Sequence, residues 1–149
     1  EATVSIHIMT TEDGLIRKVR TIKPLLEKAK ARGVEIKIAA PITSKTKEVI
    51  EKLNGIAEVK HIPTVRARFC IIDHKQIMFM LIDDKDVHPT YDIGLWVNTP
   101  FFAGAISKMF AHAWQTGNFD MIESVIPDDA IPTQQPNIIL PEEAQNLLD

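Results

Sequence analysis

Arg66 and Arg68 stand two residues apart in the run Val65 to Ile72, whose composition reads as a β-strand. Period two puts both guanidinium groups on one face, together with Cys70 and Ile72. Arginine is permanently charged and presents a planar fork of donors, so such a pair suits a hold on an anion or on neighbouring hydroxyls. The plainer reading is two solvated surface arginines. Asp73 ends the same run and either shapes the hairpin that follows or orients Arg66. Asn98 stands before Thr99-Pro100, where it caps a helix or reaches a ligand. A helix N-terminus there would favour an anion and make the two roles compatible.

Other side chains carry less chemistry. Cys70 lies in a hydrophobic strand and reads as a buried thiol. His7 and His112 fall inside regular elements and read as structural. Asp83, Asp84, Asp86 and His88 are close together but lack the glycine and closing glutamate of a calcium loop, so a solvated loop is expected. Neither a metal nor a cofactor is called for. Trp96, Phe101 and Phe102 read as core or dimer contacts, with an aromatic wall for a sugar as the alternative.

The 149 residues are 45% hydrophobic and 25% charged with a formal net charge of -3, which fits one ordinary globular domain. That mild acidity offers no electrostatic footprint for nucleic acid, so direct DNA binding by this segment is not expected. A single cysteine excludes an internal disulfide and suits a reducing compartment. The longest apolar run, Gln76 to Ile82, is too short for a membrane span, and no signal segment opens the chain. A cytoplasmic location is therefore expected. The start at Glu1, directly before a strand-like run, suggests excision from a longer protein.

The elements that must position these residues begin with a strand over Thr3 to Met9, with Val4, Ile6 and Ile8 on one face. Thr10, Thr11 and Asp13 offer caps for a helix that should kink or split at Pro24 and stop at Gly33. A strand over Val34 to Ala40, a helix over Lys45 to Leu53 and a strand over Ile56 to Ile62 imply parallel pairing. Residues 65–72 and 76–82 then form a hairpin; the second strand is apolar almost throughout and should be covered on both faces. A polar loop, Asp83 to Asp92, leads to a strand over Ile93 to Val97 and a helix from Pro100 to about Gln115. That helix should bury Ile106, Met109, Phe110, Ala113 and Trp114. Four prolines between 127 and 141 mark an extended linker, and Pro141 opens a short terminal helix that must dock to be stable.

The run Ala29-Lys30-Ala31-Arg32-Gly33-Val34 resembles the helix–strand junction of phospholipase D-like domains. Arg66-x-Arg68-x4-Asp73 keeps the spacing of that superfamily's H-x-K-x4-D motif with arginine at the first two positions. Gly94-Leu95-Trp96-Val97-Asn98 is similar to its G-S-x-x-N motif, with Leu95 for the serine. The resemblance implies an α/β fold, a phospholipase D-like mixed sheet flanked by helices, over residues 1–118, followed by a proline-rich extension over 119–149. It also implies lost chemistry: the family's histidine attacks phosphorus, and a guanidinium has no lone pair to do so. Arg68 could still meet a phosphate as the family's lysine does.

A degenerate motif of this kind is similar to that of the effector-binding domains of archaeal TrmB-like transcriptional regulators. That implies a catalytically inactive homodimer sensing a small anionic or sugar-like effector through Arg66, Arg68, Asp73 and Asn98. DNA would be met only through a winged helix–turn–helix, which is not visible in these residues. The alternatives are a metal-independent phosphodiesterase or nuclease using other residues, and a dimerisation module without a ligand.

Overall fold

The computed structural model describes residues 1–83 and 92–119. Six strands form one mixed sheet: β1 (Ser5–Met9), β2 (Glu35–Ala40), β3 (Glu58–His61), β4 (Phe69–Ile72), β5 (Gln76–Met80) and β6 (Gly94–Asn98). Their order across the sheet is β3-β2-β1-β4-β5-β6. Strands β1, β2 and β3 run parallel, and β1–β4, β4–β5 and β5–β6 pair antiparallel. The expected α/β mixed sheet is therefore present, with its parallel half first in sequence.

Helix α1 (Glu12–Ala31) starts where Thr11 accepts a hydrogen bond from the Gly14 N–H, and Glu12 and Asp13 in its first turn complement the dipole. It is one helix, not two. Pro24 lies exposed, so water can satisfy the Arg20 carbonyl that loses its partner. Gly33, at φ 85, makes the left-handed turn into β2. Helix α2 is a short Lys47–Glu51, and α3 (Pro100–Thr116) opens with Thr99 as cap and Pro100 in its first turn.

Apolar residues separate into two cores because the helices take opposite faces of the sheet. Leu15, Val19, Leu26 and Ala29 of α1 pack on Ile6, Ile36 and Ile38. On the other face Phe110, Ala103 and Ala113 of α3 pack on Met9, Ala39, Ile71 and Ile77. Met109 is 40% exposed and falls outside the expected buried stripe of α3; Ser107 takes a buried place instead.

The apolar run of β5 is covered on one face only. Ile77 is buried beneath α3, while Met78 is 44% exposed on the α1 side, because α1 lies over the parallel half of the sheet. Trp96, Phe101 and Phe102, expected as core or dimer contacts, are exposed, as is Leu95, on edge strand β6 and the first turn of α3. Phe119 packs on the second core. The proline-rich linker, the terminal helix, and Asp84, Asp86 and His88 lie outside the described residues. Among the described residues no helix is long and apolar enough to cross a membrane, and no group of three or more His, Cys, Asp or Glu side chains could hold a metal.

Candidate functional site

The carboxyl ends of β1, β2 and β3 open along one edge of the sheet, where ligands of open α/β folds commonly lie. Strand β4 runs antiparallel to β1, so its start arrives at that edge: Phe69 pairs with Met9, and Arg68 comes beside Thr10 and the first turn of α1. Gly14 allows this approach. A Cβ there would collide with the Thr10 hydroxyl and stand 3.2 Å from Arg68 Cδ.

Arg68 is the centre of the edge. Its Nη1 donates to Asp92 Oδ2 at 2.8 Å and its Nη2 to Asp92 Oδ1 at 2.9 Å, a bidentate pair with side chains only 6% and 7% exposed. Nη2 also donates to the Ile82 carbonyl. Lys18 Nζ and Arg17 Nη2 stand 3.7 and 4.0 Å from the same Asp92 Oδ2. The Arg68 hydrogen bonds hold the Asp92 carboxyl below its ordinary range. Three cations thus converge on one carboxylate.

The expected site residues divide between two ends of the β4–β5 hairpin. Arg66 lies at the same edge as Arg68, both in irregular backbone before β4, and it is exposed where Arg68 is buried. Asp73 lies five residues further on, roughly 16 Å away at strand rise. There it accepts hydrogen bonds from the N–H groups of Thr3, Val4 and Ser5 and from the Thr3 hydroxyl. Burial pushes its carboxyl up, but those four donors outweigh it and bring it down to about 2. Asp73 therefore anchors the start of β1 and does not orient Arg66. Asn98 pairs with Gln76 at that same far end, exposed, and the cap of α3 is Thr99. The structure brings together Arg68 and Asp92, with Arg66 near by, and leaves Asp73 and Asn98 apart.

Asp92 is the residue that sequence reasoning did not single out. Its signal was its place two residues before Gly94, because Gly94 pairs with Met80, whose N–H bonds the Arg68 carbonyl. Reading the strand pairing outward from Gly94 would have brought Asp92 to the arginine.

Among the described residues, the histidines do not converge on this edge. His7 is buried beneath α3, stacked on Phe110 at 4.8 Å, with Nε2 3.0 Å from Glu35 Oε1 and Nδ1 lacking a partner. Burial lowers its pKa, against the raising effect of Glu35. His74, in a left-handed turn position, has Nδ1 2.9 Å from Ser107 Oγ. His61 ends β3, about 14 Å from β4 by strand spacing, and its Nδ1 accepts from the Ile42 N–H at 2.8 Å. Cys70 is held as a neutral thiol, its pKa pushed up to about 12 by burial.

A groove of about 520 Å³ runs between α1 and the uncovered part of the sheet, floored by Ile6, Ile8, Cys70 and Met78 and walled by Ile22 and Leu25. Arg68 and Lys18 line one end of it.

This architecture is the phospholipase D-like fold. The chain is similar to TrmBL2, described as an archaeal chromatin protein with a novel mode of DNA binding, at TM-score 0.56 and 18% identity. That match covers 78% of this chain and 45% of the TrmBL2 chain, so the sequence spans less than half of that protein. It is also similar to Nuc, a phospholipase D family member from Salmonella typhimurium, at TM-score 0.54 and 18% identity, over 77% of this chain and 80% of that one. No family model and no curated protein matches the sequence.

Proposed function

We propose that this chain is the effector-sensing domain of a TrmB-like transcriptional regulator, without phosphodiesterase activity, and that its ligand is a small anionic or hydroxyl-rich molecule. The observation that carries this reading is the buried Arg68–Asp92 pair at the carboxyl edge of the sheet, flanked by Lys18 and Arg17. Charged groups are seldom buried without a function or a compensating network, and this pair stands where the fold places its ligands. Arg66, exposed at the same edge, adds a donor fork for the same ligand. The likeness to TrmBL2 supports a regulator; the net charge of -3 favours DNA contact through another domain, a winged helix–turn–helix, in the cytoplasm.

A homodimer belongs to the same proposal. Trp96 at 65% and Phe101 at 93% exposure, with Leu95 and Phe102, form apolar surface along edge strand β6 and the start of α3. A twofold contact through that surface would cover both the patch and the strand edge. Light scattering should give twice the chain mass at micromolar concentration, and Trp96→Glu with Phe101→Glu should give a monomer.

Thermal-shift screening of sugars, sugar phosphates, nucleotides and inorganic anions tests the sensing reading. A ligand at 100 times its dissociation constant adds about 2.7 kcal/mol. Arg66→Ala should weaken a hit by roughly 10- to 150-fold, the loss of one charged hydrogen bond. A hit unchanged in that variant places the ligand elsewhere. Phosphodiester turnover in chelator that disappears in Arg66→Ala would restore the hydrolase.

A further inference from the structure

We propose that the groove between α1 and the open face of the sheet is a docking site for a partner polypeptide, which lays an amphipathic, acid-flanked helix alongside α1. The α1 side of the sheet carries an incomplete layer. Leu15, Val19, Leu26 and Ala29 of α1 pack over β1 and β2. Met78 of β5 and Trp96 of β6 are cross-strand partners on that same face, and they stand 44% and 65% exposed. Sheets of α/β folds bury such a face under helices. Three strand spacings separate β1 from β6, about 14 Å in all. Packed helices lie with their axes about 8–10 Å apart, so the space beside α1 takes one further helix.

The rim and the floor of the groove select its occupant. Lys18, Leu25, Lys28 and Arg32 of α1 form the rim, at spacings that keep them on one side of the helix. From Lys18 to Arg32 that rim runs about 21 Å, close to four helical turns. Leu25 is 63% exposed on it. Besides Arg68 at one end, three cations of the rim face a single acid among the described residues, Glu1, which pairs with Arg32 at 2.9 Å. Lys28 is exposed and makes no ion pair among the described residues. An acidic flank on the docked helix complements this rim, and a basic flank meets repulsion. The floor includes Met78 and Met80, flexible and polarisable side chains that reshape around an incoming apolar stripe. Being open to solvent at Leu25 and Met78, the groove suits a helix laid upon it more than a small molecule, which binding pockets enclose. Docking of this kind uses neither Arg66 nor the Arg68–Asp92 pair, so it stands apart from the sensing reading.

Two blocked, Ala-rich synthetic peptides of about 16 residues, a length that spans the rim, test the proposal by fluorescence anisotropy with the full chain. Both carry the same leucine stripe at i, i+3, i+4 and i+7; one is flanked by glutamate, the other by lysine. The acidic peptide should bind about ten-fold tighter, the combined effect of three exposed charge pairs, and the difference should shrink as salt is raised. Lys28→Glu should narrow that difference. Met78→Glu should weaken both peptides at least ten-fold, while leaving the mass by light scattering unchanged and the melting midpoint of the free chain within about 3 °C.

Equal binding of the two peptides, or none by either, would overturn the proposal. So would binding that Met78→Glu leaves unchanged, since the peptide then lies elsewhere. A larger fall in the melting midpoint of Met78→Glu would show that the groove is already filled within the protein, and a change of mass would give it to a second copy; either result overturns the proposal. Should Met78→Glu fail to fold, Lys28→Glu, at an exposed position, still decides: an undiminished preference for the acidic peptide would remove the groove rim from its recognition.

Discussion

The two ends of the β4–β5 hairpin treat charge in opposite ways. At one end the Asp73 carboxylate is met by neutral donors, three backbone N–H groups and a hydroxyl, all from Thr3, Val4 and Ser5. At the other end the Arg68 guanidinium is met by a carboxylate, with two further cations close to it. The first arrangement ties down a chain segment and leaves nothing over for a ligand. The second keeps charged groups of both signs at the edge of the sheet where the loops gather. A spacing that resembles one catalytic motif is therefore divided here between a clasp and a charged centre. The clasp also explains the turn: Asp73 and His74 adopt φ 52 and 56, left-handed values that aspartate tolerates and local hydrogen bonds offset.

The comparison breaks first at Arg68. Arg68→Ala should cost about 3–5 kcal/mol of stability, because it leaves the buried Asp92 carboxylate without its main partner. Arg66→Ala should stay within about 0.5 kcal/mol, as an exposed side chain outside any strand. Urea denaturation of both variants checks this. Equal effects would mean that the burial of Arg68 carries no charge penalty.

That contrast between Arg66 and Arg68 marks how far the sequence can be read. The alternation of Ser5 to Met9 and Glu35 to Ala40, the Thr11 and Thr99 caps and the Gly33 stop are local signals, and each stands where its chemistry places it. Both arginines precede β4, but they do not share an environment, since Arg66 is exposed and Arg68 is buried against a carboxylate 24 residues away. No local pattern carries a pairing of that range. The open face at Met78 was hidden for a similar reason: an apolar run shows that a strand is sticky on both sides, not which helix covers which side. Asp73 was legible as a turn residue, but its hold on Thr3 to Ser5 depends on β1 lying beside β4.

The clasp is the second point of attack. Asp73→Ala should cost about 2–3 kcal/mol, through lost charge-assisted hydrogen bonds and a residue less suited to positive φ. The pH dependence has a definite sign. Asp73 is depressed from 3.8 to about 2, so its contribution is fully present well above pH 3.8 and is lost as pH falls from about 4 to 2. Acid titration of stability in the native chain and in Asp73→Asn should differ in that window and run parallel above it. Parallel curves throughout would show that the hydrogen bonds do not favour the ionised form.

The smallest effect belongs to His7, beside the clasp. Its pKa is lowered chiefly by burial beneath α3, with His74 and Lys37 opposing protonation and Glu35 favouring it. A base whose folded pKa is depressed refuses a proton that the unfolded chain accepts. Its contribution is therefore complete above about pH 6.5 and declines as pH falls through 6.5 toward the folded value. Glu35 acts lower: its own depression, caused first by the His7 hydrogen bond, is felt only as pH falls through 4.5. Between pH 7 and 5 the native chain should lose stability on acidification, and His7→Gln, which cannot take up the proton, should lose less. A steeper loss in His7→Gln would show that the ring accepts its proton more readily in the fold, through Glu35, and would reverse the assignment of burial as the dominant cause.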